Sequence, residues 1–211
     1  QSKFQNIEVL KTRKYGNALY LDGCFMLSEK NQDYYHNMCL HLTPQKSKNI
    51  LIIGGGDYGI ASMLSRRDSN AKITIVEIDE KVVQISKKYF PKHFTLNIEQ
   101  LKNIKLIIQD GMIFLKNNLT KYDSIIIDST DPIGQAKILF SKNFVRLCGA
   151  SLKKGGTLIQ QSGSPINDMK SLIKPLIKKY DDIGMKKIIL SSFPMPLYPT
   201  GTWCFISAKR A

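Results

Sequence analysis

The sequence predicts an α/β fold: a seven-stranded, mostly parallel sheet covered by helices, with its last strand pair antiparallel and a small β-region in front. From residue 49 onward, short continuous apolar runs alternate with helix-length stretches, the pattern of parallel strands buried on both faces. The last two runs are joined by a Pro-rich loop rather than a helix, and the first thirty residues read as strands and turns.

Taken in order, Phe4, Ile7 and Val9 alternate with polar residues, and Tyr15-Gly16-Asn17 reads as a turn. Ala18–Leu21 then leads into Asp22-Gly23, a strong hairpin signal, with Phe25, Met26 and Leu27 returning. Tyr35, Met38, Cys39 and Leu42 share one face of a helix that Pro44 stops. Strands follow at Asn49–Ile53, Ile73–Val76, Lys105–Ile108, Ser124–Ile127, Thr157–Ile159, Lys187–Leu190 and Trp203–Ser207. Helices are expected over 58–67, 80–90, 111–119, 137–152 and 166–180. The final two strands are expected to pair as a hairpin at one edge, across the loop Phe193–Gly201. This divides the chain into an N-terminal β-hairpin region, 1–30, and an α/β catalytic domain, 31–211.

The 211 residues are 43% hydrophobic and 23% charged, which suits one globular unit and excludes disorder as the main state. The longest apolar runs, such as Ile50–Ile53, fall far short of the roughly 18 residues of a membrane span. Cys24, Cys39, Cys148 and Cys204 are scattered, so neither a disulfide framework nor a zinc site is expected, and a reducing, cytoplasmic setting is. The net charge of +14 comes from lysines spread as singles and pairs, without a basic run interleaved with aromatics. That describes a solvated cationic surface, and neither nucleic acid nor membrane is expected as a partner.

In an open α/β sheet, ligands bind beyond the carboxyl ends of the strands. Asp57, Glu77, Asp79, Asp110, Asp128 and Asp131 stand just past four successive strands, so six of 17 acids converge on one edge of a basic protein. Such an edge fits a cationic ligand. The loop Gly54-Gly55-Gly56-Asp57-Tyr58-Gly59 is a nucleotide-binding turn in type, or simply a tight turn. Glu77, about 20 residues on, stands where an acid accepts both ribose hydroxyls. Asp57 would repel a pyrophosphate, which favours an adenosine that carries positive charge and no phosphate. Asp110-Gly111 reads as a helix cap or as a contact to an adenine edge. Asp128-Ser129-Thr130-Asp131-Pro132 can turn two acids toward one small site.

These motifs, with Leu21-Asp22-Gly23, Tyr35-His36-Asn37-Met38 and Tyr198-Pro199-Thr200-Gly201-Thr202-Trp203, resemble the polyamine aminopropyltransferases, and among them the spermidine synthases. The resemblance runs the length of the chain. It implies a methyltransferase-like Rossmann-type sheet behind a small N-terminal β-domain, truncated here, and a homodimer or homotetramer. The implied reaction carries the aminopropyl group of decarboxylated S-adenosylmethionine, a co-substrate rather than a tightly bound cofactor, to putrescine. By position, Gln5 and Glu77 would contact the nucleoside, Asp110 and Gly111 the adenine, and Gly54 and Gly56 would form the cofactor loop. Asp57 would grip the aminopropyl ammonium, with His36 nearby. Tyr35, Asp131 and Tyr198 would position putrescine, Asp128 would be the base, and no metal is required.

Four places depart from the family pattern: Tyr58 for a glycine, Asn31-Gln32 for Asp-Glu, Gln135 for a proline, and Ala61-Ser62 for Arg-Glu. His41 and His93 are expected at the surface or its boundary, and Trp203 in an edge-strand core. The rival readings are an S-adenosylmethionine methyltransferase, whose substrate carboxylate the acids would repel, a non-catalytic polyamine-binding paralogue, and a nucleic-acid binder.

Overall fold

The computed structural model describes residues 1–30 and 32–211; Asn31, half of the Asn31-Gln32 departure, lies outside the described residues. Strands β1 (Ile7–Thr12), β2 (Gly16–Leu21) and β3 (Cys24–Ser28) form an antiparallel sheet in the order β1-β2-β3. After α1 (Asp33–Leu42) come β4 (Asn49–Gly54), α2 (Gly59–Arg67), β5 (Lys72–Glu77), α3 (Glu80–Tyr89), α4 (Ile98–Lys102) and β6 (Ile104–Ile108). The chain continues through α5 (Gly111–Asn117), β7 (Tyr122–Asp128), α6 (Lys142–Ser151), β8 (Leu152–Gln161), α7 (Lys174–Asp182), β9 (Lys186–Pro194) and β10 (Thr202–Lys209).

The second sheet has seven strands in the order β6-β5-β4-β7-β8-β10-β9. The pairs β4–β5, β4–β7, β5–β6 and β7–β8 are parallel, and β10 runs antiparallel to both β8 and β9. The predicted terminal hairpin is therefore present, but β10 lies inside the sheet and β9 forms the edge. Trp203 accordingly belongs to an interior strand, where it is buried.

Alternation along β4 sorts the core. Ile50 and Ile52 pack on one face with Ile60, Leu64 and Phe205, while Leu51 and Ile53 pack on the other with Phe144, Leu176 and Tyr180. Each such buried side chain contributes about 1.5–3 kcal/mol of transfer free energy, which keeps the central strands rigid beneath the site. A third cluster joins Leu19, Leu21 and Leu27 of the small sheet to Val82 and Phe90 of the α3 region, and so roofs one side of the strand ends.

Two expected helices are divided. The stretch 137–152 consists of a 3-10 segment, Gly134–Phe140, and α6, because the Ser141 hydroxyl accepts from Phe144 N at 3.2 Å and starts a new helix. The stretch 166–180 opens with a π-turn, Met169–Ile173, before α7. The 3-10 segment Pro91–Phe94 and α4 were not foreseen.

Asp79 ties the N-terminal segment to this frame. Its carboxylate accepts from Lys81 N at 3.1 Å, capping α3, and from Ser2 Oγ at 2.6 Å and Gln5 Nε2 at 3.0 Å. Asp79→Ala is expected to cost about 1–2 kcal/mol of stability in urea titration, as lost helix caps do. It is also expected to speed amide exchange at Phe4 and Gln5; unchanged exchange there would show that the segment is held by other contacts.

Candidate active site

A cavity of about 260 Å³ opens beyond the carboxyl ends of β4, β5 and β7, between the two sheets. Its wall includes Gln5, Tyr35, His36, Gly54, Gly56, Asp57, Glu77, Asp110, Gly111, Asp128 and Tyr198. Asp131 is half-buried in the loop after β7 and stands outside the lining, and Asp79 turns its carboxylate toward the chain's beginning. Four of the six strand-end acids therefore face one space.

Tight backbone geometry brings the glycine loop against β7. Gly54 adopts φ +84°, and a Cβ there would overlap the Asp128 carbonyl, which accepts from Gly55 N at 3.0 Å. Gly59 leaves room for the His36 ring, which any Cβ would overlap. Tyr58 takes a left-handed φ of +65°, a conformation that costs a non-glycine residue about 1 kcal/mol or more. Its ring packs on Phe94, with centroids 4.5 Å apart, so the Pro91–Phe94 segment makes room for the substituted side chain.

Asp57 and Asp128 are shifted in opposite directions. Burial alone would raise the Asp57 carboxyl, but His36 and the Gly59 amide bring it down to about 2. The His36 Nε2–Asp57 Oδ2 pair spans 3.6 Å, and Gly59 N donates to Asp57 Oδ1 at 2.7 Å. Burial by itself lowers the His36 imidazole, yet Asp57 outweighs it and the net direction is upward. Asp128 is raised to about 6, first by burial and then by the charge of Asp57, although Tyr35 Oη donates to its Oδ1 at 2.7 Å. Environments that push neighbouring titratable groups apart assign acid and base roles.

Glu77 Oε2 accepts from Gly56 N at 3.2 Å and Oε1 from Asp79 N at 2.9 Å, while burial raises its carboxyl to about 7. Asp110 both caps α5, accepting from Ile113 N at 2.9 Å, and lines the cavity, so its two readings hold together. Gln5 likewise lines the wall while donating to Asp79. Tyr198 Oη donates to the Met26 carbonyl at 2.8 Å, pinning the loop before β10 to the small sheet. Burial raises the Asp131 carboxyl, and the opposing influence of Gln161 does not cancel it.

Sequence reasoning missed two residues. His93 is buried rather than at the surface, and its Nδ1 lies 2.9 Å from the Asp57 carbonyl. Gln32 lines the cavity and meets His93. Only the Asn31-Gln32 departure marked the second, and no local signal marked the first. Among the described residues, no cluster of His, Cys, Asp and Glu could hold a metal ion, and no helix is long and apolar enough to cross a membrane.

Residues 32–211 match the family described as "Spermine/spermidine synthase domain", and residues 1–29 match "Spermidine synthase tetramerisation domain". The chain belongs to the polyamine aminopropyltransferase family. Its relatives named polyamine aminopropyltransferase include one from Methanocaldococcus jannaschii, 38% identical over all of this chain and 72% of the relative. Another, from Clostridium botulinum, is 38% identical over all of this chain and 74% of the relative. A spermidine synthase solved in complex with the transition-state analogue AdoDATO superposes with a TM-score of 0.87 at 29% identity, covering all of this chain and 72% of that one. The spermidine synthase of Thermotoga maritima superposes at 0.85 with 27% identity, over all of this chain and 70% of that one.

The Asp128 shift has a stability consequence. A carboxyl near 3.9 in the unfolded chain and near 6 in the folded one binds its extra proton in the native state between those values, so stability falls as pH rises through that window. Asp128→Asn is therefore expected to be more stable than the wild type at pH 8, by on the order of 2 kcal/mol. The gap is expected to close below about pH 4. Urea titrations at the two pH values check this; an equal gap at both would contradict the burial of an ionised carboxylate.

Proposed function

We propose that the chain transfers the aminopropyl group of decarboxylated S-adenosylmethionine to putrescine, giving spermidine and 5′-methylthioadenosine. The observation that carries this reading is the pairing of Asp57 and Asp128 on one cavity, oppositely shifted, with Glu77 at ribose spacing. That constellation suits a nucleoside sulfonium with an ammonium tail. A methionine carboxylate in the same space would meet two partly buried acids, a like-charge penalty of several kcal/mol at short range.

In this reading the donor's ribose hydroxyls bind Glu77, and their two O–H donors favour its ionised form. Gln5, Asp110 and Gly111 hold the nucleoside and its base, over the Gly54–Gly56 backbone. Asp57, kept ionised by His36, holds the aminopropyl ammonium. Putrescine enters with both amines protonated, since alkylamines have pKa values of about 10. Asp128 takes a proton from the near amine, and Tyr35 orients that carboxylate. The freed nitrogen lone pair attacks the aminopropyl carbon bonded to sulfur. The C–S bond breaks, its electron pair neutralises the sulfonium, and methylthioadenosine leaves. Asp131 takes the far ammonium, and Tyr198 closes the acceptor side. Alignment of nitrogen, carbon and sulfur within one rigid cavity supplies much of the rate.

The match of residues 1–29 to a tetramerisation domain supports a homotetramer. The four cysteines are free thiols, which supports a reducing, cytoplasmic setting.

Incubation with putrescine and decarboxylated S-adenosylmethionine is expected to yield spermidine and methylthioadenosine by mass spectrometry. Asp128→Asn is expected to lower kcat by about 100-fold or more, the usual scale for a positioned general base. The wild-type kcat/KM is expected to rise with pH through about 6 as Asp128 ionises. Formation of S-adenosylhomocysteine from S-adenosylmethionine would instead establish a methyltransferase. Spermine formed from spermidine in preference would move the acceptor assignment.

A further inference from the structure

Gln32 stands at the entry to α1, on the cavity wall, with 5% of its surface exposed. Its Nε2 lies 2.6 Å from His93 Nε2. The other ring nitrogen, His93 Nδ1, lies 2.9 Å from the Asp57 carbonyl oxygen. A carbonyl only accepts, so Nδ1 carries the proton. In the neutral ring Nε2 is then an acceptor, and only the NH₂ end of Gln32 can face it. Burial lowers the His93 imidazole and so favours that neutral ring. The amide is thereby oriented, and Gln32 Oε1 is directed away from the histidine. Among the described residues, this buried oxygen has no hydrogen-bond donor. An unsatisfied buried acceptor of this kind is costly, and a bound N–H donor removes the cost.

The neighbours narrow the donor's chemistry. A primary ammonium has three N–H groups and looks for three acceptors. Asp57 alone cannot serve all three, because Gly59 N and His36 already take two of its roughly four acceptor sites. Gln32 meets Asp57 through a single imidazole, whose ring lies 5.3 Å from that of His36, and its side chain lines the same cavity.

We infer that Gln32 Oε1 accepts a hydrogen bond from the ammonium of the donor's aminopropyl tail, and that His93 is the positioning residue that aims it. The inference rests on the aminopropyl-transfer reading above. It makes Gln32 a residue that recognises the tail and not the nucleoside.

Calorimetric binding of decarboxylated S-adenosylmethionine and of methylthioadenosine, which shares the nucleoside but lacks the tail, separates the possibilities. In the wild type, the tailed ligand is expected to bind more tightly than methylthioadenosine. Gln32→Leu is expected to weaken the tailed ligand about tenfold or more, as loss of a hydrogen bond to a charged group does, and to leave methylthioadenosine within about twofold. Gln32→Glu, which keeps an acceptor oxygen, is expected to hold the tailed ligand within about threefold of wild type or tighter. Equal weakening of both ligands in Gln32→Leu would overturn the inference in favour of a structural role. No weakening of either, or loss of the tailed ligand in Gln32→Glu as severe as in Gln32→Leu, would also overturn it. A wild type that does not distinguish the two ligands would remove the functional reading, and this inference with it.

Discussion

Two partly buried carboxylates, Asp57 and Asp128, share one cavity, and the repulsion between them is the constraint to which the surrounding residues answer. Asp57 is kept charged by the His36 ring and the Gly59 amide, and Asp128 is left as the acid that more readily holds a proton. Each local oddity of the glycine loop serves this division. Gly54 lets the loop press onto the Asp128 backbone, and Gly59 clears space for the His36 ring. Tyr35, anchored in the core by Phe205 at 4.9 Å and Phe193 at 6.1 Å, brings a hydroxyl to Asp128. A cation bound between the two acids would offset their repulsion.

Local and global fields oppose one another. The chain as a whole carries +14, and its lysines sit largely on the exposed surface, yet the strand ends present acids. Parallel topology is what permits this arrangement. Because β4, β5, β6 and β7 run the same way, the residue after each strand emerges at the same edge, and acids distant in sequence meet. An antiparallel sheet would have sent alternate acids to opposite ends.

The sheet was legible because buried parallel strands are continuous apolar runs, and the Asp22-Gly23 hairpin because its turn chemistry is local. The strand-end acids were legible as a set, but not their individual uses. Asp79 was read with the others, although its side chain caps α3 and holds Ser2 and Gln5. Whether such an acid faces a ligand or a helix end depends on side-chain direction, which strand spacing does not record. The break at Ser141 was hidden because apolar residues continue at helical spacing on both sides of it. Position β10 within the sheet depends on which neighbour a hairpin strand chooses, a tertiary decision. His93 was misjudged for the same reason: its burial is created by Asp57 and Gln32, 36 and 61 residues away in sequence. Tyr58 stands where the family has a glycine, and Phe94, distant in sequence, provides the surface on which its ring rests.

On the proposed reading, the paired acids select a donor without a carboxylate. The most direct measurement compares the dissociation constants of decarboxylated and ordinary S-adenosylmethionine for the same protein, by calorimetry at pH 8, where Asp57 and Asp128 are both ionised. Tighter binding of the decarboxylated donor by on the order of 100-fold or more is expected, since the two ligands share the nucleoside and sulfonium and differ by one like charge against two partly buried acids. Equal affinity for the two would contradict it.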